Sequence, residues 1–426
     1  MHLRSAALRL LPVALLALAA CNSESSKTTT VTETETSAKP AAAPATADTV
    51  AAAPSAAAPT EPAATPAPDT ADVQNIAAYL GGQRPSAQSD LLHLTEQPAW
   101  QAFAKDQNKS WQKYTATHTA PMTKWAATEL DSVQQNSPTI FYPFSGPDFL
   151  NVVTMFPRSE TYVMIGLEPV GSAPARSSLQ NPKLFPAIKS SLWSVLNFSF
   201  FRTNDMAVDL KSVELDGAVP LIMLFAARTG HQILSVRPVK IDAAGQLQDA
   251  ATPDSAQATT VNQRSALAKP IPGAEIKLRA PDGHAQTIYY FSADLSDAKL
   301  GRNPAPLTFV RSLGPLTTYL KSASYLMHKS YFNQVRRTVL RRSRYLLQDD
   351  SGIAMKYFQK GAWNFTHYGT YRRPINLFAK HYQPELTAAY KDSVNKARPL
   401  PFGTGYNWRQ TDSNLMLAKR RIPLAD

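Results

Sequence analysis

The sequence predicts an α/β protein, with a mixed sheet and flanking helices, preceded by a disordered tether. Three observations support this fold class. A short apolar run at 139–144, a brief helical segment and a second apolar run at 161–166 give the strand–helix–strand order of a parallel crossover. Pro281-Asp282-Gly283 lies between two strand-like runs and predicts a hairpin. The segments between and after these strand-like runs include predicted helices, at 185–202, 219–228 and 316–344.

The first crossover carries its own helix signals. Ser145 is predicted to be the N-cap, with Pro147 in the first turn and Asp148 placed against the positive end of the helix. The helix is expected over 149–156, because Pro157 stops it.

The remaining elements follow from apolar periodicity and turn residues. Leu316–Arg344 is the strongest predicted helix, with an apolar stripe from Leu320 to Val339. Asp349-Asp350-Ser351-Gly352 predicts a second hairpin. The other predictions are helices at 72–80, 89–104, 185–202 and 219–228, a strand at 231–241, and a long exposed loop at 247–269.

Segments 140–148 and 288–294 resemble each other when two gaps are allowed. The match raises the alternative that the globular region, 73–426, consists of two related α/β halves that meet near 247–269. A single short match does not decide between one fold and a duplication.

Residues 1–20 have the pattern of a signal peptide, with Arg4 and Arg9 before an apolar stretch at 10–17. That stretch is shorter than a spanning helix requires. Leu18-Ala19-Ala20-Cys21 follows, and it resembles the lipobox of bacterial lipoproteins. The resemblance implies cleavage before Cys21, the only cysteine, and lipid attached to its thiol. Asn22 follows where an Asp would favour retention at the inner membrane, so the outer membrane is the expected location.

Residues 22–72 form the predicted tether. Ala, Pro, Thr and Ser make up 39 of these 51 residues. Such a segment buries too little apolar surface to offset its ordering entropy, and its prolines favour an extended chain. We expect it to hold the globular region away from its membrane.

Charge is concentrated at one end of the chain. The net charge is +12, and residues 319–426 contain 19 Lys and Arg against six Asp and Glu. A positive end favours anionic partners, such as lipopolysaccharide, peptidoglycan or another acidic glycan. Nucleic acid is also anionic, but it is the least expected partner because the protein is predicted to be exported.

The segment 357–408 combines this charge with 12 aromatic residues among 52. Aromatic rings offer stacking faces to sugars, and arginine pairs with phosphate or carboxylate. The alternative is that the rings are core and the charges a solvated face. The residues predicted to line a binding face are Trp363, His367, Tyr368, Tyr371, Arg372, Arg373, Tyr406 and Trp408.

Four carboxylates are candidates for catalysis by a glycan-directed hydrolase. Asp148 lies at a strand-to-helix turn, Glu168 follows the next strand, and Asp349 and Asp350 lie at the predicted second turn. Two carboxylates in one cleft could act as general acid and as base or nucleophile. Each also has a structural explanation as a capping or turn residue.

No cofactor motif is present, and the spacing of His328, His367 and His381 predicts no metal site. The favoured hypothesis is therefore a lipid-anchored cell-envelope protein, not an enzyme, that binds an anionic polymer or glycan. The alternatives are the hydrolase and a subunit of an envelope protein complex.

The anchor is tested by Cys21→Ser. Without the thiol no thioether to lipid can form, so we expect the variant to leave the membrane pellet while the unsubstituted protein sediments with it. Incorporation of labelled fatty acid gives an independent measurement. A Cys21→Ser variant that still sediments with membranes would show that the lipobox assignment is wrong.

Overall fold

The computed structural model describes residues 70–198, 210, 212, 213, 215, 217–250 and 269–421. Their strands form one mixed sheet, so the predicted α/β class is confirmed. The strands are β1 Thr139–Pro143, β2 Thr161–Gly166, β3 Gln232–Ile241, β4 Leu247–Asp249, β5 Ile271–Arg279, β6 Ala285–Ser292, β7 Leu316–Leu320, β8 Ser343–Gln348, β9 Trp363–Gly369 and β10 Asn414–Arg420.

The order across the sheet is β4-β3-β5-β6-β2-β1-β7-β8-β10-β9. The five central strands, from β6 to β8, run parallel to one another. The outer strands on both sides pair antiparallel. The sheet is therefore a parallel centre with an antiparallel extension at each edge.

Helices cover both faces of this sheet. On one face lie α1 Thr70–Leu80, α2 Pro98–Tyr114, α3 Ala120–Glu129, α5 Phe149–Met155, α6 Leu184–Phe198 and α7 Val219–Arg228. On the other lie α8 Asp297–Leu300, α9 Ala305–Ser312 and α10 Asn333–Arg342. The remaining α-helices of the described chain are α4 Asp131–Gln134 and α11 Pro384–Lys391.

The central strands alternate between the two cores with the period of two that a strand imposes. In β1, Ile140 and Tyr142 belong to the core under α5, whereas Phe141 belongs to the core under α10. Phe141 pairs with Val163 of β2, which faces the same way. Because both faces are covered, these strands are almost continuously apolar.

The topology changes direction between β1 and β7. The chain passes from β1 through α5 to β2 on one side, and from β7 through α10 to β8 on the other. The two connecting helices therefore lie on opposite faces, and the segments that follow β1 and β7 diverge. In open α/β sheets this divergence, at the carboxyl ends of the strands, is where binding sites form.

Several local predictions are confirmed. The strands at 139–143 and 161–166 and the helix at 219–228 occur, and Gly230 ends that helix with φ of +78°. The hairpin at Pro281–Gly283 joins β5 to β6. The helix predicted at 72–80 begins slightly earlier, at Thr70, so the predicted tether ends before residue 72. The rest of the tether and the signal peptide lie outside the described residues.

The prediction of one helix over 316–344 is wrong. Leu316–Leu320 is a buried strand, a segment with 3₁₀ turns follows it, and only Asn333–Arg342 is α-helical. A short apolar run fits a buried strand as well as a helix face, and Thr317 and Thr318 favour the strand because their side chains are β-branched.

Three further predictions need correction. Asp349-Asp350 does not form a hairpin, because β8 is parallel to β7 and 353–358 contains a 3₁₀ turn. Asp148, and not Ser145, is the N-cap of α5. The predicted loop at 247–269 begins with β4, and 251–268 lies outside the described residues.

The two segments that suggested duplication form β1 and β6, which flank β2; whether the halves are related stays a prediction.

Within the part of the chain that the structure describes, no helix is long and apolar enough to cross a membrane.

Candidate functional site at the carboxyl edge of the parallel strands

A buried ion pair joins the segments that diverge after β1 and β7. Lys321, the residue after β7, places its Nζ 2.7 Å from Oδ2 of Asp148. The two side chains are only 1% and 2% exposed. The same carboxylate accepts hydrogen bonds from the Tyr142 hydroxyl at 2.8 Å and from the Asn151 amide side chain at 2.7 Å. Asp148 thus caps α5 and ties the two segments together.

Two tyrosine rings lie beside this ion pair. Tyr142 and Tyr319, on the adjacent strands β1 and β7, have ring centroids 4.9 Å apart. Burial raises the pKa of both hydroxyls well above the usual value, and the charge of Asp148 adds to the effect. Both therefore remain neutral.

A turn of π-helix, Thr115–Thr119, also approaches the pair. It carries His118, whose half-buried ring stacks on Tyr114 at 4.7 Å. Burial, together with the positive charge of Lys321, lowers the pKa of His118. Such π turns inside helices are frequent at functional sites. The sequence analysis missed His118, because no sequence signal distinguishes a π turn from the α-helix around it.

Asp349 binds the backbone after β7. Its carboxylate accepts hydrogen bonds from the Ser322 N–H at 2.9 Å and the Ser351 N–H at 3.0 Å. Gly405 packs so closely on Oδ2 that a Cβ there would lie 2.2 Å from this oxygen. Burial raises the pKa of Asp349. Asp349 therefore joins the segments around 322 and 405.

Asp350 accepts hydrogen bonds from the side chains of three residues. Its Oδ1 accepts hydrogen bonds from the side-chain amides of Asn407 and Asn414, each at 3.0 Å, and its Oδ2 accepts from the Tyr325 hydroxyl. Burial, with the adjacent charge of Asp349, raises the pKa of Asp350 to about 7.

Backbone strain is concentrated in the same place. In the described part of the chain, the non-glycine residues with positive φ are Phe144, Ser322, Ser324 and Tyr325, at +50° to +60°. All four lie just after β1 or β7. Such a conformation costs about 1–3 kcal/mol per residue, persists only when its surroundings enforce it, and clusters at functional sites.

Beyond Asp350, five rings form what we call the ring cluster: Tyr325, His328, Phe378, His381 and Tyr406. Tyr325 stacks on His381 with centroids 5.0 Å apart and an interplanar angle of 6°. His328 lies edge-on to both, at 5.0 and 5.4 Å. Phe378 contacts Tyr325 and Tyr406, each at 4.9 Å. Tyr325 is buried, whereas the other four rings are partly exposed.

Three lysines, which we call the basic rim, lie beside the ring cluster: Lys329 follows His328, Lys380 precedes His381, and Lys356 lies 5.2 Å from the ring centroid of Tyr357, whose hydroxyl donates to His328 O. Lys329 is partly exposed, and the other two are exposed. Burial, with the positive charges of His381 and Lys356, lowers the pKa of His328 to about 4. Burial, with the charges of Lys329 and Lys380, also lowers the pKa of His381. The lysines therefore lie close enough to act on both imidazoles.

The four candidate carboxylates all follow central parallel strands, but they do not share one set of contacts. Asp148 and Asp349 both act on Tyr142 and Tyr319. Glu168, after β2, is bound instead by the Tyr290 hydroxyl, 3.2 Å from Oε2.

The predicted aromatic face is largely interior. Trp363, His367, Tyr368 and Tyr371 are at most 8% exposed, so their rings cannot present a stacking surface. Among the other predicted residues of that face, Arg372 and Arg373 are exposed, Trp408 is partly exposed beneath the Arg409 guanidinium, and Tyr406 belongs to the ring cluster. The sequence analysis missed Tyr325, His328, Phe378 and His381 as one site, because three separate segments supply the cluster.

A shallow polar cavity of about 660 Å³ lies at the opposite edge of the sheet, where β2 and β6 begin. Its lining includes Arg158, Glu160 and His284, the last paired with Asp282 at 2.5 Å. In the described ranges, no group of three or more His, Cys, Asp or Glu is placed to hold a metal ion.

No family model, curated protein or solved structure matches the chain.

The Lys321–Asp148 pair is tested by Lys321→Met. The substitution leaves a buried carboxylate without its cation, and we expect a loss of about 3–5 kcal/mol in the free energy of unfolding, measured with urea. Adding Asp148→Asn removes the orphaned charge and should restore much of the loss. The exposed Lys189–Asp106 pair, at 2.6 Å, is the control, and Lys189→Met should change stability little. Equal effects of the two lysine substitutions would contradict a special role for the buried pair.

Asp350 predicts a pH dependence of stability. Because its folded pKa lies above its unfolded value near 3.8, folding favours the protonated acid, and its stabilising contribution is lost as pH rises from about 4 to about 7. Asp350→Asn imitates the protonated acid: its oxygen can accept from Asn407 and Asn414 while its NH₂ donates to the Tyr325 hydroxyl. We expect the variant to remove a slope of up to about 1.4 kcal/mol per pH unit.

The free energy of unfolding at several pH values, for wild type and variant, measures this slope. Asp412→Asn, at an exposed position, should leave it unchanged. A wild-type slope that survives in Asp350→Asn would assign it to other groups, such as Asp349.

Proposed function

We propose that the protein is a lipid-anchored cell-envelope protein that binds an anionic polymer or glycan through the ring cluster and its basic rim. The main support for the proposal is the position of partly exposed rings, with lysines beside them, at the carboxyl edge of the parallel strands. The crossover connections diverge at this edge, between β1 and β7. As predicted from the sequence, the proposed ligand contacts are aromatic rings and basic residues. The proposed binding surface is the ring cluster, because the rings of β9 are buried.

The rings suit a carbohydrate ligand. Flat side chains with one exposed face offer apolar contact to sugar rings, and they lose little conformational entropy on binding. The cluster is also held rigidly, because Asp350 binds the Tyr325 hydroxyl and the Tyr406 hydroxyl donates to Ser322 O at 3.1 Å. A rigid surface lowers the entropic cost of binding.

The basic rim supplies the preference for anions. Lys329, Lys356 and Lys380 lie in the segment that contains the positive excess of the chain. Exposed charges of one sign attract the opposite charge over roughly a Debye length, about 8–10 Å at physiological salt. Peptidoglycan, lipopolysaccharide and other acidic glycans are the envelope polymers that fit, and nucleic acid is not expected at an exported protein.

The anchor and tether belong to the same proposal. Lipid on Cys21 would hold the protein at a membrane, more consistent with the outer than the inner one, and residues 22–72 would give the binding surface reach. A tethered site meets nearby polymer at a raised effective concentration, so a modest intrinsic affinity suffices.

A glycan hydrolase that uses the candidate carboxylates is the second hypothesis, favoured by the raised pKa of Asp350 next to Asp349. Binding is better supported, because Asp148, Asp349 and Asp350 are at most 4% exposed and already accept hydrogen bonds from the protein. A third hypothesis is that the same surface docks an envelope protein.

Co-sedimentation of the full-length protein in detergent with purified peptidoglycan sacculi, and capture on immobilised lipopolysaccharide, test the proposal. We expect retention on at least one polymer that weakens as salt rises, and on the order of tenfold loss for Lys329→Ala with Lys380→Ala. The control is Lys105→Ala with Lys109→Ala, which removes the same charge from exposed positions of α2.

Retention that is insensitive to salt, or equally reduced by both pairs of substitutions, would count against the proposed surface. Release of sugar fragments that Asp350→Asn abolishes would favour the hydrolase.

A further inference from the structure

We infer that His328 and His381, with the basic rim, form a subsite for a phosphate group carried on the bound glycan. This inference rests on the proposed function and names the chemical group that the site recognises. It depends on the convergence of the two imidazoles and three lysines, and on the rigidity of the segment that carries His328.

The imidazoles lie together at the surface. Their ring centroids are 5.4 Å apart with an interplanar angle of 88°. Both side chains are partly exposed, so a ligand at the surface can reach the two rings.

The segment that presents His328 is fixed from behind. The Arg336 guanidinium donates to Met327 O at 2.6 Å and to Lys329 O at 3.1 Å, and it lies 3.8 Å from the centroid of the Tyr357 ring. The Tyr357 hydroxyl donates to His328 O at 3.1 Å. These contacts hold the backbone on both sides of the imidazole, so the subsite exists before any ligand arrives.

The charged groups that act most strongly on the two imidazoles are cationic. They are Lys356 and Arg336 for His328, and Lys329 and Lys380 for His381. Asp350, the carboxylate that contacts the ring cluster, is already occupied by Tyr325, Asn407 and Asn414. Among the described residues, none forms a salt bridge with the lysines of the basic rim, and such positive charge favours an anionic ligand.

The types of donor favour phosphate over carboxylate. Carboxylates are matched best by the planar fork of arginine, and Arg336 is committed to backbone carbonyls. Lysine and histidine donate singly and from different directions. A phosphate monoester offers three acceptor oxygens and a charge of about −1.5 to −2, which suits donors converging from three segments of chain.

Titration calorimetry on the full-length protein in detergent tests the subsite with four probes: inorganic phosphate, a hexose monophosphate, the matching unphosphorylated hexose, and glycerol phosphate as the water-soluble head group of a phospholipid. We expect the hexose monophosphate to bind more tightly than inorganic phosphate or the free hexose, because it can use both the rings and the cations. In parallel, the imidazole ¹⁵N resonances of His328 and His381 should shift as this probe is added.

Two variants separate the subsite from folding. Lys329→Gln with Lys380→Gln changes lysines at the surface, and we expect on the order of tenfold weaker binding of the hexose monophosphate. His381→Gln should weaken it too. Lys105→Gln with Lys109→Gln is the matched control and should bind as the unsubstituted protein does.

The outcomes distinguish this inference from the proposed function. Retention on sacculi or lipopolysaccharide without measurable binding of the hexose monophosphate would overturn the phosphate subsite and leave the polymer-binding proposal intact. If the protein neither binds the hexose monophosphate nor is retained on either polymer, both the phosphate subsite and the polymer-binding proposal are wrong. Tighter binding of glycerol phosphate than of the hexose monophosphate would overturn the assignment to a glycan phosphate in favour of a lipid head group.

Discussion

The Lys321–Asp148 ion pair is the constraint on which the carboxyl edge depends. The segments after β1 and β7 leave the sheet toward opposite faces, and nothing in the strand pairing itself holds them together. A buried ammonium 2.7 Å from a buried carboxylate does so. Removing two charges from water is costly, and the cost is offset only when further hydrogen bonds satisfy both groups. Tyr142 and Asn151 supply them at the carboxylate, so the pair fixes both the start of α5 and the end of β7.

The strained backbone beyond Lys321 follows from this fixed point. Ser322, Ser324 and Tyr325 adopt positive φ while the carboxylates of Asp349 and Asp350 hold the Ser322 N–H and the Tyr325 hydroxyl. The two carboxylates after β8 thus hold the strained segment in place from the interior. The raised pKa of Asp350 is the electrostatic consequence of burying two adjacent carboxylates. The strain is therefore held in place by buried polar contacts at a topological switch point, and it is this combination on which the proposed binding surface rests.

Sequence patterns predict the local parts of this architecture and not its long-range parts. The first crossover, the hairpin at Pro281–Gly283 and the end of α7 follow from turn residues and short apolar runs. The region from Leu316 to Phe332 was misassigned, because its apolar positions fit a helical stripe and a buried strand alike. Asp148 and Glu168 follow strands as predicted, whereas the hairpin predicted at Asp349 and Asp350 does not form. The partners of these carboxylates could not be predicted: Lys321 reaches Asp148 across 173 positions of chain. The ring cluster was missed for the same reason.

Two arginines in the last quarter of the chain pack against aromatic rings, and they illustrate why its aromatic content does not predict a binding surface. Arg336 stacks on Tyr357, and Arg420 lies 4.3 Å from the ring centroid of Trp363 while donating to Ser343 O at 2.9 Å. Such planar, weakly hydrated cations pack well against rings and backbone carbonyls, so these arginines help to build the interior. Lysine is a strongly hydrated point charge, so the buried Lys321 needs its ion pair with Asp148, whereas Lys329, Lys356 and Lys380 keep contact with solvent. The same segment therefore supplies arginines that pack against rings in the interior and lysines beside the partly exposed rings of the ring cluster.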